Sequence, residues 1–235
     1  QKKPVSELIG ERLPPTLLLV FSGEIVGILI GTVMGVVAAW KARSAIDGIS
    51  LVVGLTIFAL PAFWLGIVLL ILARGFLPAG GYVTIGIPFD STLDRWLDIA
   101  RHLILPASTL ALMLFGAYML VVRNSTLEVL AEDYILTAKA KGFSQWKILR
   151  SHALKNAALP LVTIIALDLG IALGGMIQIE TIFSWPGLGR LMFDAIAQRD
   201  YPVLQGVFLL LAIGVILANF IADLTYVYLD PRVKA

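Results

Sequence analysis

Residues 132–163 read EDYILTAKAKGFSQWKILRSHALKNAALPLVT. The run is polar and basic, yet the chain on either side of it is apolar over lengths that can cross a bilayer. Just before it, Ser125-Thr126-Leu127-Glu128 has the spacing of a capping box, which predicts a helix start. Leu127, Leu130, Tyr134 and Ala138 then fall on one face at steps of three and four. Lys139 and Lys141 precede Gly142, a pattern that suits a helix C-terminus: bases against the negative dipole end, then a residue that tolerates positive φ. Ser144 is placed to cap a second helix through Trp146, Leu149, Ala153 and Ala157, ending where Pro160 leads onward. The expected product is helix, glycine turn, helix, lying parallel to the membrane. Ala138 and Ala140 are small enough to let a partner surface come close. A compact, structured basic loop between spans points to docking on the aqueous side. A plain solvated connector would need no such caps.

Working outward, five apolar stretches meet the length of about 18–20 residues that a spanning helix needs. They cover residues 17–40, 49–73 (with Pro61 inside), 103–122, 159–177 and 203–224. The chain is 235 residues long, 59% hydrophobic and 14% charged. Soluble domains carry about 25% charged residues, so the deficit points to lipid. The sequence therefore predicts an all-α membrane protein.

Charge suggests an orientation. Segments 41–48, 123–158 and 230–235 hold ten bases against five acids, whereas 1–15, 73–102 and 178–202 hold eight of each. The positive-inside rule then puts the basic loop and the C-terminus in the cytoplasm and the N-terminus outside. Residues 1–16 are expected to form an external or interfacial segment, a short helix turning at Pro14-Pro15 or else an unfolded tail. Ser44 and Asp47 have capping-box spacing at the start of the second span. The 74–102 loop, rich in Gly and Pro, is expected to fold back on the protein through the helically spaced bulky residues of RWLDIARHL.

Several chemistries are excluded. There is no cysteine, so no disulfide, thiol nucleophile or thiolate site. His102 and His152 have no ligand partner at metal spacing. A net charge of +2 without a basic stripe gives no footprint for nucleic acid. No Gly-x-x-x-x-Gly-Lys-Ser/Thr loop is present for ATP hydrolysis. A secondary transporter driven through Asp168 or Glu24 would need an inverted repeat, and no segment recurs. An intramembrane enzyme would need a serine with a base or paired aspartates, and neither Ser22 and Ser50 nor Asp168 and Asp223 supply a motif.

The run from Leu136 to Gly142, LTAKAKG, followed by Leu159-Pro160, resembles the EAA loop of ABC importer permeases. Gly142 and Ala138 match its glycine and second alanine, while Leu136 stands where the general motif has glutamate. The wider wording, EDYILTAKAKG, HALKNAALPLVT, ETIFSWPGLGRL, RDYPVLQG and DPR, looks like the dipeptide, oligopeptide and nickel branch, in which that glutamate is commonly absent. The resemblance covers nearly the whole chain. It implies the transmembrane domain of a type I ABC importer over residues 17–235, with a cytoplasmic coupling loop at about 125–158. It further implies a non-catalytic permease subunit in the bacterial inner membrane, forming half of a translocation pathway. The implied partners are a homologous permease subunit, two ATP-binding subunits that carry ATP and Mg, an extracytoplasmic substrate-binding protein, and membrane lipid. This branch usually has a further N-terminal span, so a chain beginning at Gln1 is expected to be a fragment.

The resemblance assigns ATPase coupling to Tyr134, Ala138, Lys139, Ala140, Lys141, Gly142 and Phe143. It places Asp168, with Gly170, Gly174 and Gly175, on the translocation pathway, although glutamine is commoner at Asp168; a bond from Asp168 to a neighbouring helix is the equal alternative. Trp185, Pro186 and Gly187 are expected to form an external gate, against the alternative of an aromatic belt for Trp185. Glu24, Asp168 and Asp223 lie inside spans, where a charge is costly, so each should face protein rather than lipid. Asp223 suits an interfacial or helix-pairing place, and Glu24 takes no role from the sequence.

Overall fold

The computed structural model of the chain describes residues 3–149, 160–162, 164–165, 168 and 176–229. Among these residues the backbone forms only helices and connecting loops, as expected where lipid leaves backbone groups no other partner. In chain order the helices are α1 (Val5–Trp40), α2 (Ala45–Ala59), α3 (Ala62–Leu72), α4 (Thr92–Leu130), α5 (Asp133–Ala140), α6 (Gln145–Ile148), α7 (Ile177–Ile182), α8 (Leu188–Gln198) and α9 (Tyr201–Leu229). Three of them, α1, α4 and α9 over Tyr201–Ile221, are long and apolar enough to cross a membrane. The expected span at 159–177 lies largely outside the described residues.

Three boundaries differ from those expected. The 49–73 stretch is not one straight helix: α2 ends at Ala59 and α3 begins at Ala62. Pro61 sits between them with extended backbone (φ −63°, ψ 141°), and a residue before proline, here Leu60, is steered away from helical geometry. Conversely, α1 runs straight through Pro14 and Pro15, so no turn separates residues 1–16 from the first span. Likewise α4 passes through Ser125-Thr126 as one 39-residue helix, and the capping-box wording there starts nothing.

The chain divides into two compact units. The first comprises Gln1–Val26, Leu60–Ala111 and Leu169–Ala218. Its best-defined core joins Leu188, Met192 and Ala195 of α8 to Val203 and Val207 of α9, with Val5, Leu8, Ile9 and Leu13 of α1 against them. The 73–91 loop does fold back: Gly81 N–H donates to the Phe183 carbonyl (2.8 Å). Thr84 donates to Asp98 from its amide and its hydroxyl, both at 2.7 Å.

The second unit comprises Gly27–Ala59, Leu112–Asp168 and Asn219–Ala235. Here α4 is approached closely by two helices. On α1, a Cβ at Gly31 would lie 2.9 Å from the Phe115 carbonyl oxygen, and one at Gly35 would lie 2.6 Å from that of Met119. From α4 itself, a Cβ at Gly116 would lie 2.6 Å from the Gly54 carbonyl oxygen of α2. Small residues at such crossings let helices meet backbone to backbone, which supplies the packing that lipid-exposed helices need. A partly buried ion pair adds to this contact: Arg123 Nε and Nη2 donate to Asp47 Oδ1 and Oδ2 at 2.6 and 2.9 Å. The Arg43 amide donates to the same carboxylate (2.9 Å). The expected capping box is therefore half made: the Asp47 amide reaches Ser44 Oγ at 3.5 Å, but the carboxylate is turned to arginine.

Gly116→Leu should overpack the α2–α4 crossing at a cost of about 1–3 kcal/mol, lowering the melting temperature of the detergent-solubilised protein. Gly10→Leu, at a position where a Cβ meets nothing within 4 Å, should leave it unchanged.

Candidate functional site

The basic loop is built on a glycine. Gly142 has φ +77°, in the left-handed region that a Cβ disfavours. This lets the Phe143 amide donate back to the Ala138 carbonyl (3.2 Å) and the Lys141 amide to that of Thr137 (3.0 Å), closing α5 as the sequence predicts. Ser144 then caps α6, its Oγ accepting the Lys147 amide at 3.3 Å. Lys147 Nζ lies 4.2 Å from the centre of the Phe143 ring, a cation–π contact that ties the turn to α6. The continuation of α6 through Ala153 and Ala157 lies outside the described residues.

The loop has its own small core of Ile135, Ala138 and Ile148, with Leu130 and Phe143 packed on it. The inward residue of α5 is thus Ile135, and Tyr134 is 41% exposed. The chain leaves helical geometry at Ala131 and Glu132, so the periodicity counted from Leu127 does not carry across the break. Ala138 is buried inside that core and does not offer the close approach expected of it. Ala140, Lys141, Gly142, Leu136 and Trp146 are exposed instead. The Lys139 side chain lies outside the described part.

The Trp185-Pro186-Gly187 turn is organised by a residue that the sequence analysis does not single out. Glu180 of α7 has no solvent exposure. Its Oε1 accepts the hydroxyl of the equally buried Thr16 (2.6 Å), and its Oε2 accepts the Arg190 amide in the first turn of α8 (3.0 Å). Thr16 Oγ1 in turn accepts the Leu188 amide (2.8 Å). A carboxylate is thereby set against the positive end of α8. Burial pushes the Glu180 carboxyl above its ordinary value, while the Thr16 hydroxyl, the Arg190 and Gly189 amides and the Arg12 charge pull the other way. A Cβ on Gly187 would run into this carboxylate, which accounts for glycine there.

Trp185 is fully buried. Its indole Nε1 donates to the Pro15 carbonyl (2.9 Å), and its ring meets Tyr82 edge-on at 5.0 Å. An aromatic belt is therefore not its place. The signal in the sequence was a glutamate five residues before a Trp-Pro-Gly turn, but its partner Thr16 lies 164 positions away.

Asp168 is half-buried and accepts a hydrogen bond from the side chain of the buried Tyr118 of α4. Gly170, Gly174 and Gly175, and the Asp223 side chain, lie outside the described residues. Glu24 is buried, as a charge within a span should be. Among the described residues no group of histidines and carboxylates could hold a metal.

Comparison with known proteins settles the family. Residues 27–235 match the family model described as the binding-protein-dependent transport system inner membrane component. The chain belongs to that family. The oligopeptide transport system permease protein AppB of Bacillus subtilis is 41% identical over 98% of this chain and 72% of its own length. The dipeptide transport system permease protein DppB of Escherichia coli is 39% identical over 98% of this chain and 74% of its own. Among solved structures, the MetNI methionine ABC transporter in an inward-facing form superposes with a TM-score of 0.76. That alignment covers 98% of this chain and 100% of the other at 18% identity, a likeness of fold. The all-α type I importer fold and a multi-pass inner-membrane permease follow.

In this permease Glu180→Ala should strand the Thr16 hydroxyl and the Arg190 amide, at about 1–3 kcal/mol. The expected readout is a lower melting temperature and faster proteolysis at residues 183–187. Glu180→Gln, which keeps one accepting oxygen, should lose less.

Proposed function

We propose that the chain is a non-catalytic permease subunit forming half of the translocation pathway for peptides or a related small solute, and that it couples to a cytoplasmic ATPase through residues 132–160. The observation that carries this reading is the capped helix–Gly142–helix, held over its own small core, with Leu136, Ala140 and Lys141 turned outward. A docking element has to be stiff enough to pass on a push, and this one is stiffened from within rather than by its partner. In this reading Tyr134, Ala140, Lys141 and Gly142 make the contact surface, while Ala138 and Phe143 shape it from beneath. Lys139 is assigned to the same surface.

The partners are a homologous permease, two ATP-binding subunits that hold ATP and Mg, and an extracytoplasmic binding protein. The relatives named for oligopeptides and dipeptides support a peptide class of substrate. The basic side is cytoplasmic, with residue 1 of this chain outside and its C-terminus inside. Trp185, Pro186 and Gly187 form an external gate whose fixed side is the Glu180 clasp. Asp168 and the glycines at 170, 174 and 175 line the path, and Tyr118 orients the Asp168 carboxylate.

Because the chain has no cysteine, Lys141→Cys gives a single attachment point. Cross-linking in native membranes should capture a P-loop ATPase, identified by mass spectrometry, and the adduct should vanish when the ATPase subunits are deleted. Recovery of lipid-facing neighbours alone from an intact complex would reduce the loop to a connector.

Gly142→Val should strain the turn by about 1 kcal/mol or more, so that transport and transport-linked ATP hydrolysis fall while membrane insertion persists. Normal uptake by that variant would count against the coupling role.

A further inference from the structure

A groove of about 710 Å³ opens beside the C-terminal half of α1 in the second unit, lined by Val33, Val36, Val37, Trp40, Trp146 and Leu149, together with Thr32 and Lys41. Its wall is almost wholly hydrocarbon and aromatic. Trp40 and Trp146 meet in its wall, their ring centroids 5.7 Å apart and their planes tilted by 37°. Val33 and Val37 belong to the apolar stretch of a helix long enough to cross the membrane, while Lys41 follows the last residue of that helix. The groove thus runs from hydrocarbon depth to the aqueous boundary.

We infer that this groove binds an acyl chain of an anionic phospholipid, with the Lys41 ammonium taking the phosphate headgroup. An apolar groove facing a bilayer is filled by the surrounding solvent, because an empty one forfeits dispersion contacts along its whole lining. In a bilayer that solvent is acyl chain. The headgroup preference comes from charge. Lys41 is exposed, and among the described residues it forms no ion pair. Asp47, the next acid along the chain, is already neutralised by Arg123 and by the Arg43 amide. Tryptophan and lysine at the end of a span are the side chains that settle at the headgroup level, and bases at that level favour anionic lipid. The site is independent of the coupling reading, since it requires only that α1 spans the membrane.

The test uses the whole complex reconstituted in vesicles of phosphatidylcholine and phosphatidylglycerol with a photoactivatable phosphatidylglycerol. Labelled peptides should include Trp40 or Trp146. Excess phosphatidylglycerol should reduce the labelling several-fold, and excess phosphatidylcholine should not. Val37→Trp, which fills the groove, and Lys41→Gln should each lower both the labelling and the anionic phospholipid that co-purifies by at least about half. Three results would overturn the assignment: equal competition by both lipids, labelling indifferent to both substitutions, or capture of a protein chain at Trp40 in place of lipid. Should Val37→Trp fail to assemble, the competition in the unaltered protein still decides.

Discussion

A carboxylate withdrawn from water has to be given partners, and Glu180 is given three. The Thr16 hydroxyl and the first-turn amides of α8 reach its two oxygens, and the same Thr16 accepts a further amide from Leu188. An isolated buried carboxylate would cost several kcal/mol; here the dipole of α8 and the hydrogen bonds together make burial tenable. The consequence is topological. Thr16 is on α1, Glu180 on α7 and Leu188 on α8, so one side chain ties α1 to two consecutive elements of the first unit that lie 164 and 172 positions further on. The Trp185 turn and the Gly81–Phe183 bond are then built on that fixed point.

The second unit solves the same problem with a different pair. Asp47 and Arg123 form a fork-to-fork contact between the start of α2 and the C-terminal part of α4, a geometry that specifies relative placement more than it adds stability. The glycine crossings at Gly35 and Gly116 leave the backbones little room to slide. Just beyond, α5 and α6 close on Ile135, Ala138 and Ile148. A structured loop is thus continued from a rigid crossing, the arrangement that a transmitting element requires under the proposed function.

Local signals in the sequence proved good wherever the decisive contacts are local. Gly142 with its preceding lysines, Ser144 as a cap, and the apolar runs that became α1, α4 and α9 all depend on neighbours within a few residues. Some failures are places where a distant residue decides, and others where a local break or an unbroken helix overrides the local signal. Asp47 has capping-box spacing, yet its carboxylate is claimed by Arg123, 76 positions on. Tyr134 has the right periodicity for an inward face, but the break at Ala131 and Glu132 resets the count and turns Ile135 inward. For Trp185, expected in a gate, the alternative of a belt residue falls to Pro15 and Tyr82 packed around it. Ala138 shows the limit of small size as a clue: alanine suits a docking face and a tight core equally, and burial alone separates them.

The prolines show how surroundings override a local preference. Pro61 ends one helix and precedes another, whereas Pro14, Pro15 and Pro106 lie inside α1 and α4. A proline within a helix removes one N–H and frees the carbonyl four residues back, a loss that has to be made good in an apolar surround. At Pro15 the surroundings hold the helix on course: the Pro15 carbonyl takes the Trp185 indole, and Thr16 is bound into the Glu180 clasp. At Pro61 the amides of Trp64 and Leu65 close onto the Pro61 carbonyl, so the residue serves as the N-cap of α3 rather than as an interruption of α2. Whether a proline kinks, breaks or merely passes is therefore a property of the residues packed around it. That is why the expected turn at Pro14-Pro15 is absent while the break inside 49–73 is real.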